Sequence, residues 1–236
     1  LTHYYHQKNI FPTNFYKLHF IFLTMFQFQW LVFMGIGILM LALILNFAFK
    51  AFRIVGFETY EVIVMLLAPL ILEFILGPVF LGKYENIEIY ADPAGFFIPI
   101  ILSIRFLASG RAPVKRAILG IIFISYIANT HSIPSHIGVI VKDVGTIILI
   151  TSLYSLYASR KPDEAGPIAY VTGTTGVIIG ADLANLSNLT HVFGQELKFT
   201  IGGAGMFDAI YIVGLLSVVV DLIASSIEEI IREESS

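Results

Sequence analysis

An all-α bundle of membrane-crossing helices is the fold class this sequence predicts, and three observations predict it. The 236 residues are 57% apolar and only 13% charged, about half the charge of an ordinary soluble domain. The charges are clustered, and the apolar runs between them approach the roughly 20 residues that cross a hydrocarbon core as helix. Nowhere does the chain show the ~10-residue alternation of a membrane β-barrel strand. In lipid every backbone polar group needs an internal partner, so each apolar run should be helical.

Seven spans follow in order: 27–49, 61–82, 93–108, 117–133, 144–159, 166–186 and 201–224. The third and fifth are short and are expected to tilt little or to enter the bilayer part way. Residues 1–26, rich in Tyr, Phe, His and Lys, read as an interfacial segment. Residues 27–226 form the transmembrane domain and 227–236 an acidic, solvated tail.

Basic residues set the orientation. Lys50 and Arg53 follow the first span, Arg105, Arg111, Lys115 and Arg116 the third, Arg160 and Lys161 the fifth, and Arg232 lies in the tail. The alternate connections hold only Lys83, Lys142 and Lys198, and the N-terminal segment adds Lys8 and Lys17. The bias predicts an outer N-terminus and an inner C-terminus in a multipass protein of the cell membrane. Net charge −3 offers no basic face for nucleic acid. Cys is absent, which excludes disulfides and thiolate chemistry. No metal centre or cofactor is expected; His131 and His136 flank Pro134 at a spacing that matches no strong metal motif.

Small residues gather late in the chain. Gly173, Gly176, Gly180 and Ala184 lie in span six, the last three at four-residue spacing, which lays a flat ridge on one helix face. Gly202, Gly203 and Gly205 open span seven. The expectation is that spans six and seven pack together along these faces.

An ionisable side chain inside a membrane is a functional candidate by default. Glu73, Asp92, Asp182 and Asp208 qualify, whereas Asp221 reads as a water-facing residue paired with an inner cation. Asp182 lies about four residues from the outer end of span six and Asp208 about seven past the start of span seven. At 1.5 Å per residue these depths are ~6 and ~10 Å, so one outward-opening pocket could hold all four acids. Asn185 and Tyr211 each lie three residues after an Asp and share its helix face. Pro69, Pro93 and Pro99 interrupt or begin spans two and three, freeing carbonyls beside the same pocket. Two aspartates brought together out of water share a proton and can act as acid and base on a water. The same arrangement suits a proton- or cation-coupled carrier.

The stretch Ala169-Tyr-Val-Thr-Gly through Ile179-Gly-Ala-Asp-Leu, with Ile201-Gly-Gly-Ala-Gly-Met-Phe-Asp208, Asp92-Pro-Ala-Gly and Phe97-Ile-Pro, carries a resemblance. It resembles an uncharacterised prokaryotic family of polytopic membrane proteins, catalogued as a domain of unknown function, number sixteen-fourteen. The resemblance runs from span two to span seven and implies a membrane location with no established activity. More loosely, Asp182 and Asp208 on consecutive spans resemble the catalytic pair of presenilin-like and signal-peptide-peptidase-like intramembrane aspartyl proteases. In those proteases the second acid follows Gly-x-Gly directly, whereas Met206 and Phe207 intervene here. Ala181 also stands where they have Tyr, and their Pro-Ala-Leu motif is absent.

The leading expectation is therefore aspartyl-protease-like hydrolysis by Asp182 and Asp208, with Asp92, Glu73, Asn185 and Tyr211 lining the site. The alternatives are a proton- or cation-coupled transporter using the same acids, and a structural subunit of a membrane complex. The partners these readings require are the lipid bilayer and either a membrane-protein substrate or a small cation.

Overall fold

The computed structural model describes residues 13–135, 138–193 and 197–234. Helix α1 (Thr13–Ile54) runs unbroken through the segment expected to be interfacial, of which residues 1–12 lie outside the described part. From Gln29 to Ile54 it is long and apolar enough to cross a membrane. Residues 1–47 form a unit by themselves and Ala48–Ser236 a second. In the first unit large apolar side chains such as Trp30, Phe33, Leu39 and Phe47 are all exposed, a surface suited to a helix surrounded by lipid.

The second unit is mostly helical. It contains α2 (Thr59–Ile75), α3 (Ile98–Ala108), α4 (Val114–Thr130), α5 (Val144–Ala158), α6 (Pro162–Val177), α7 (Leu186–Phe193) and α8 (Ala209–Glu234). Helix α6 is the axis: it contacts α3, α4, α5 and α8, and every residue from Ala165 to Thr174 is buried. Residues 209–228 of α8 also meet the length and apolarity of a membrane span, while Pro93–Ala108 and Val144–Ala158 are shorter apolar helices. Helix α8 continues to Glu234, into the acidic tail at 227–236.

The fold is not all-α. Gly77 and Pro78 end α2 at Ile75, because Pro cannot extend a helix and biases its predecessor to extended backbone. The remainder of the expected second span becomes strand β1 (Val79–Tyr84), which pairs antiparallel with β2 (Ile87–Ala91). Glu85, at φ 52°, makes the tight turn between them. The start of the expected seventh span is likewise strand β5 (Leu197–Ile201), which joins β2 in parallel with Ala91 opposite Ile201. A second hairpin, β3 (Ser132–Ser135) and β4 (Gly138–Val141), links α4 to α5. In this order the ends of α2, α4 and α6 and the starts of α3, α5 and α8 share the end of the bundle that carries the strands.

Among the described residues two helices hold proline past their first turn, and in one a side-chain hydroxyl replaces the missing donor. Pro69 has no N–H for the carbonyl of Met65, one turn back. The buried Tyr211 hydroxyl of α8 donates to that carbonyl instead. Pro167 leaves the Asp163 carbonyl without its helical donor in the same way. There Gly56, at φ +95°, lies so close that a Cβ would sit 1.9 Å from the oxygen.

The other end of the bundle is tied by ion pairs. Arg111 grips both oxygens of the buried Glu61, one at 2.6 Å, and also donates to the Gly56 carbonyl. Glu61 in turn caps α2 by accepting from the Glu58 backbone N–H at 2.9 Å, the reach-back half of a capping box. Arg116 bridges the Ala158 carbonyl and Glu164, at 2.6 and 2.7 Å.

Candidate functional site: an acid–glycine junction

Two helical segments are headed by aspartates that follow strands of the three-stranded sheet, Asp92 directly and Asp208 across the loop Gly202–Phe207. Asp92 follows β2, and one carboxylate oxygen accepts from Ala94 and Gly95 N–H, each at 2.8 Å. Pro93 then opens a π-helical turn, Pro93–Phe97, that leads into α3. Asp208 precedes α8; its oxygens accept from Ile210 N–H at 3.0 Å and from Ala204 N–H at 3.3 Å. Both are N-caps, the position where a short acid satisfies donors the helix cannot. The expectation that Asp208 lies well inside a helix is thus corrected, since the glycines before it cannot continue one.

Asp182 sits differently. It lies in a second π-helical turn, Ile178–Leu183, that ends α6. Such a turn misaligns the carbonyls it leaves behind, and two asparagines cover them. Asn129 donates to Gly180 O at 3.1 Å and Asn185 to Ala181 O at 2.9 Å. The Asp182 carboxylate is 9% exposed and accepts from the Gly202 N–H.

The loop Gly202–Gly205 joins these parts. Gly202 and Gly205 have φ +71° and +60°, left-handed conformations that favour glycine. A Cβ on Gly95 would lie 2.2 Å from the Gly202 carbonyl oxygen, and one on Gly202 2.5 Å from the Gly95 carbonyl carbon, so the two backbones touch. The Glu73 carboxylate at the end of α2 lies against Gly205, 3.0 Å from where a Cβ would be. One short loop therefore touches Glu73, the Asp92 turn, Asp182 and Asp208. The four acids are brought to one junction, with Glu73 exposed at its edge and Asp92 and Asp182 both buried. Among the described residues no three His, Asp or Glu side chains converge as a metal-ligand set.

Other expected site residues serve elsewhere. Tyr211 turns to Met65 rather than to Asp208, because the carbonyl bared by Pro69 is the acceptor it meets. Asn185 completes the π turn and accepts from Asn188 at 3.1 Å. The glycine ridge of span six faces α4 and not α8. A Cβ on Gly176 would meet Ile124 at 2.7 Å and one on Gly180 the Ser125 carbonyl at 2.0 Å. Helices α6 and α8 do pack, through Gly173 against Val213 and Gly214 against Thr174. Gly203 approaches only its own loop at Thr200. His131 bonds the Ile127 carbonyl at 2.9 Å, and His136 lies outside the described residues.

Three features escaped the sequence reading. Asp221 is fully buried, not water-facing, and accepts from Ser152 and Ser155 of α5 at 2.5 and 2.6 Å; the i, i+3 serine pair was the available signal. Glu61 with Arg111 is the second, signalled by acids at positions 58 and 61 opening an apolar run. The third is Ser103 with Thr174, 2.9 Å apart between α3 and α6, which no local pattern announces. Outside the apolar segments, three carboxylates sit below their ordinary range. Lys83 does this to Glu88, the Thr146 hydroxyl and N–H to Asp143 at the head of α5, and Arg116 to Glu164.

These features define a mostly helical protein with two helices long and apolar enough to cross a membrane. The family model described as a protein of unknown function, DUF1614, matches residues 78–220, and the chain belongs to that family. The match spans β1 to the first half of α8 and includes Asp92, Asp182 and Asp208. No curated protein matches the chain, and no solved structure does. The comparisons add nothing to the likeness to intramembrane aspartyl proteases.

Proposed function

We propose that the chain is a multipass protein of the cell membrane, its N-terminus outside, in which the acid–glycine junction takes up and releases a proton as part of a coupled carrier. The observation that carries this reading is the contrast among the acids. Asp92 and Asp208 are held as caps by two backbone N–H groups each. Asp182 is buried like Asp92 but has one backbone donor, and it shares the Gly202–Gly205 loop with Asp208. Two carboxylates within reach of each other and away from bulk water hold one proton between them more cheaply than two charges. Asp182 is the member that takes up the proton, because protonating it weakens no helix cap, whereas protonating Asp92 or Asp208 would. Discontinuous helices beside buried acids are the usual construction of a carrier site.

The reading is tested in proteoliposomes carrying a pH-sensitive dye. An imposed substrate or ion gradient should move protons, and Asp182→Asn should abolish the movement with the fold retained. Flux equal to wild type in that variant refutes it. A second reading, aspartyl hydrolysis, is favoured by the electrostatic contact of Asp182 with Asp208. Both oxygens of Asp208 are already committed to backbone N–H groups, which leaves it poorly placed to share a water. Cleavage of a helical reporter substrate that is lost in Asp208→Asn would establish that second reading instead.

A further inference from the structure

At the end of the bundle opposite the strands, an open cleft lies between the α5–α6 turn and α8, lined by Leu156, Ser159, Arg160, Lys161, Ala224 and Ser225 among others. Most arginines at this end are engaged: Arg53 with Thr59, Arg105 with Tyr60, Arg111 with Glu61 and Arg116 with Glu164. Arg160 and Lys161 are exposed. Among the described residues neither side chain makes an ion pair or a hydrogen bond. The Ser225 hydroxyl lies beside them, while that of Ser159 donates to the Leu156 carbonyl at 2.9 Å. Glu228, also on the rim, offsets one of the two positive charges.

The walls continue into apolar surface. One turn along α5, Leu153 and Tyr157 are 67% and 91% exposed, and on α8 Ile223 and Ile227 are 54% and 52% exposed. A cationic, hydroxyl-bearing cleft that opens onto an apolar track is complementary to an amphiphile with an anionic head. We infer that the cleft seats the phosphate of an anionic phospholipid, its acyl chains lying along the exposed faces of α5 and α8. The inference rests on the chain residing in a bilayer and is independent of proton uptake at Asp182.

Near a membrane surface each basic residue contributes about 1 kcal/mol toward an anionic lipid. Two cations less one opposing carboxylate give a preference of about fivefold over a zwitterionic lipid. The full chain, purified in detergent, would be melted with added phosphatidylglycerol, phosphatidylcholine or inorganic phosphate. Phosphatidylglycerol should raise the melting temperature saturably and at about fivefold lower concentration than phosphatidylcholine. The double variant Arg160→Gln with Lys161→Gln should lose that advantage while keeping its melting temperature in phosphatidylcholine. Equal stabilisation by both lipids, or an advantage that survives in the double variant, overturns the inference. So does full stabilisation by inorganic phosphate alone, which would mark a free-anion site. Asp182→Asn should keep the lipid preference, which separates failure of this inference from failure of the proton reading. A chain that stays monodisperse without detergent would refute bilayer residence, on which both depend.

Discussion

Removing one hydroxyl tests how this bundle tolerates proline. Tyr211→Phe leaves the ring in place and takes away the donor on the Met65 carbonyl. That carbonyl is buried with Met65 and has no helical donor, because its partner position is Pro69. A buried acceptor left bare costs about 1–3 kcal/mol. Hydrogen bonds between membrane helices average only about 0.6 kcal/mol, largely because separated helices find other partners. Here a separated α2 would still lack the donor, so the loss should fall near the measured maximum of about 1.7 kcal/mol. The assay is reversible unfolding from mixed micelles by SDS, on wild type, Tyr211→Phe, Pro69→Ala and the double variant. Pro69→Ala restores the backbone N–H, so Tyr211→Phe should cost at least about 1 kcal/mol less in that background, a coupling typical of groups in contact. Equal cost in both backgrounds would refute the argument that the hydroxyl replaces the missing donor.

Gly180→Leu should lower the melting temperature by separating α6 from α4, since its Cβ would fall 2.0 Å from the Ser125 carbonyl oxygen. Overpacking of this kind costs about 1–3 kcal/mol, whereas Gly37→Leu, with nothing within 4 Å, should be neutral; the opposite ranking in a thermal melt defeats the packing assignment. The Arg116 hydrogen bond holds Glu164 below its ordinary pKa of 4.5. A depressed folded-state value contributes stability that is fully present above about 4.5 and is lost as pH falls below it. Melting temperature should therefore drop on acidification through that range, and more shallowly in Arg116→Gln; parallel curves would show that the pair contributes nothing. Cysteines placed at positions 109 and 195 and treated with an impermeant reagent on intact cells should react only at 195. Labelling at 109 would overturn the orientation.

The helical segments were legible because uncharged runs of this length have few other options in lipid. The strands were not. Val79–Tyr84 reads as the tail of an apolar run, and Glu85-Asn86 is a weak hairpin signal beside the Asn-Gly or Asp-Gly usual in such turns. Gly77-Pro78 was the available warning. The parallel pairing of β2 with β5 joins residues far apart in the chain, which no local pattern encodes. In the site, the acids stood out because charge is scarce in apolar surroundings. Their capping roles did not, because Asp208 was placed within an assumed helix. The four-residue glycine spacing was visible, but spacing shows that a face is flat and not which helix lies on it. Tyr211 illustrates the same limit: its partner is decided by a proline on another helix.

The pairing of Ala91 with Ile201 also sets an order of events during biogenesis. Asp92 leaves the ribosome about 105 residues before the strand that completes its surroundings begins. At 5–20 residues per second that interval is roughly 5 to 20 seconds. Throughout it α3, α4, α5 and α6 are made while Asp92 and Asp182 lack the Gly202–Gly205 loop. The acid junction can close only after β5 docks, so assembly of the site is a late, long-range step. Truncation before residue 197 would leave these helices carrying uncovered acids, a form that quality-control proteases can recognise.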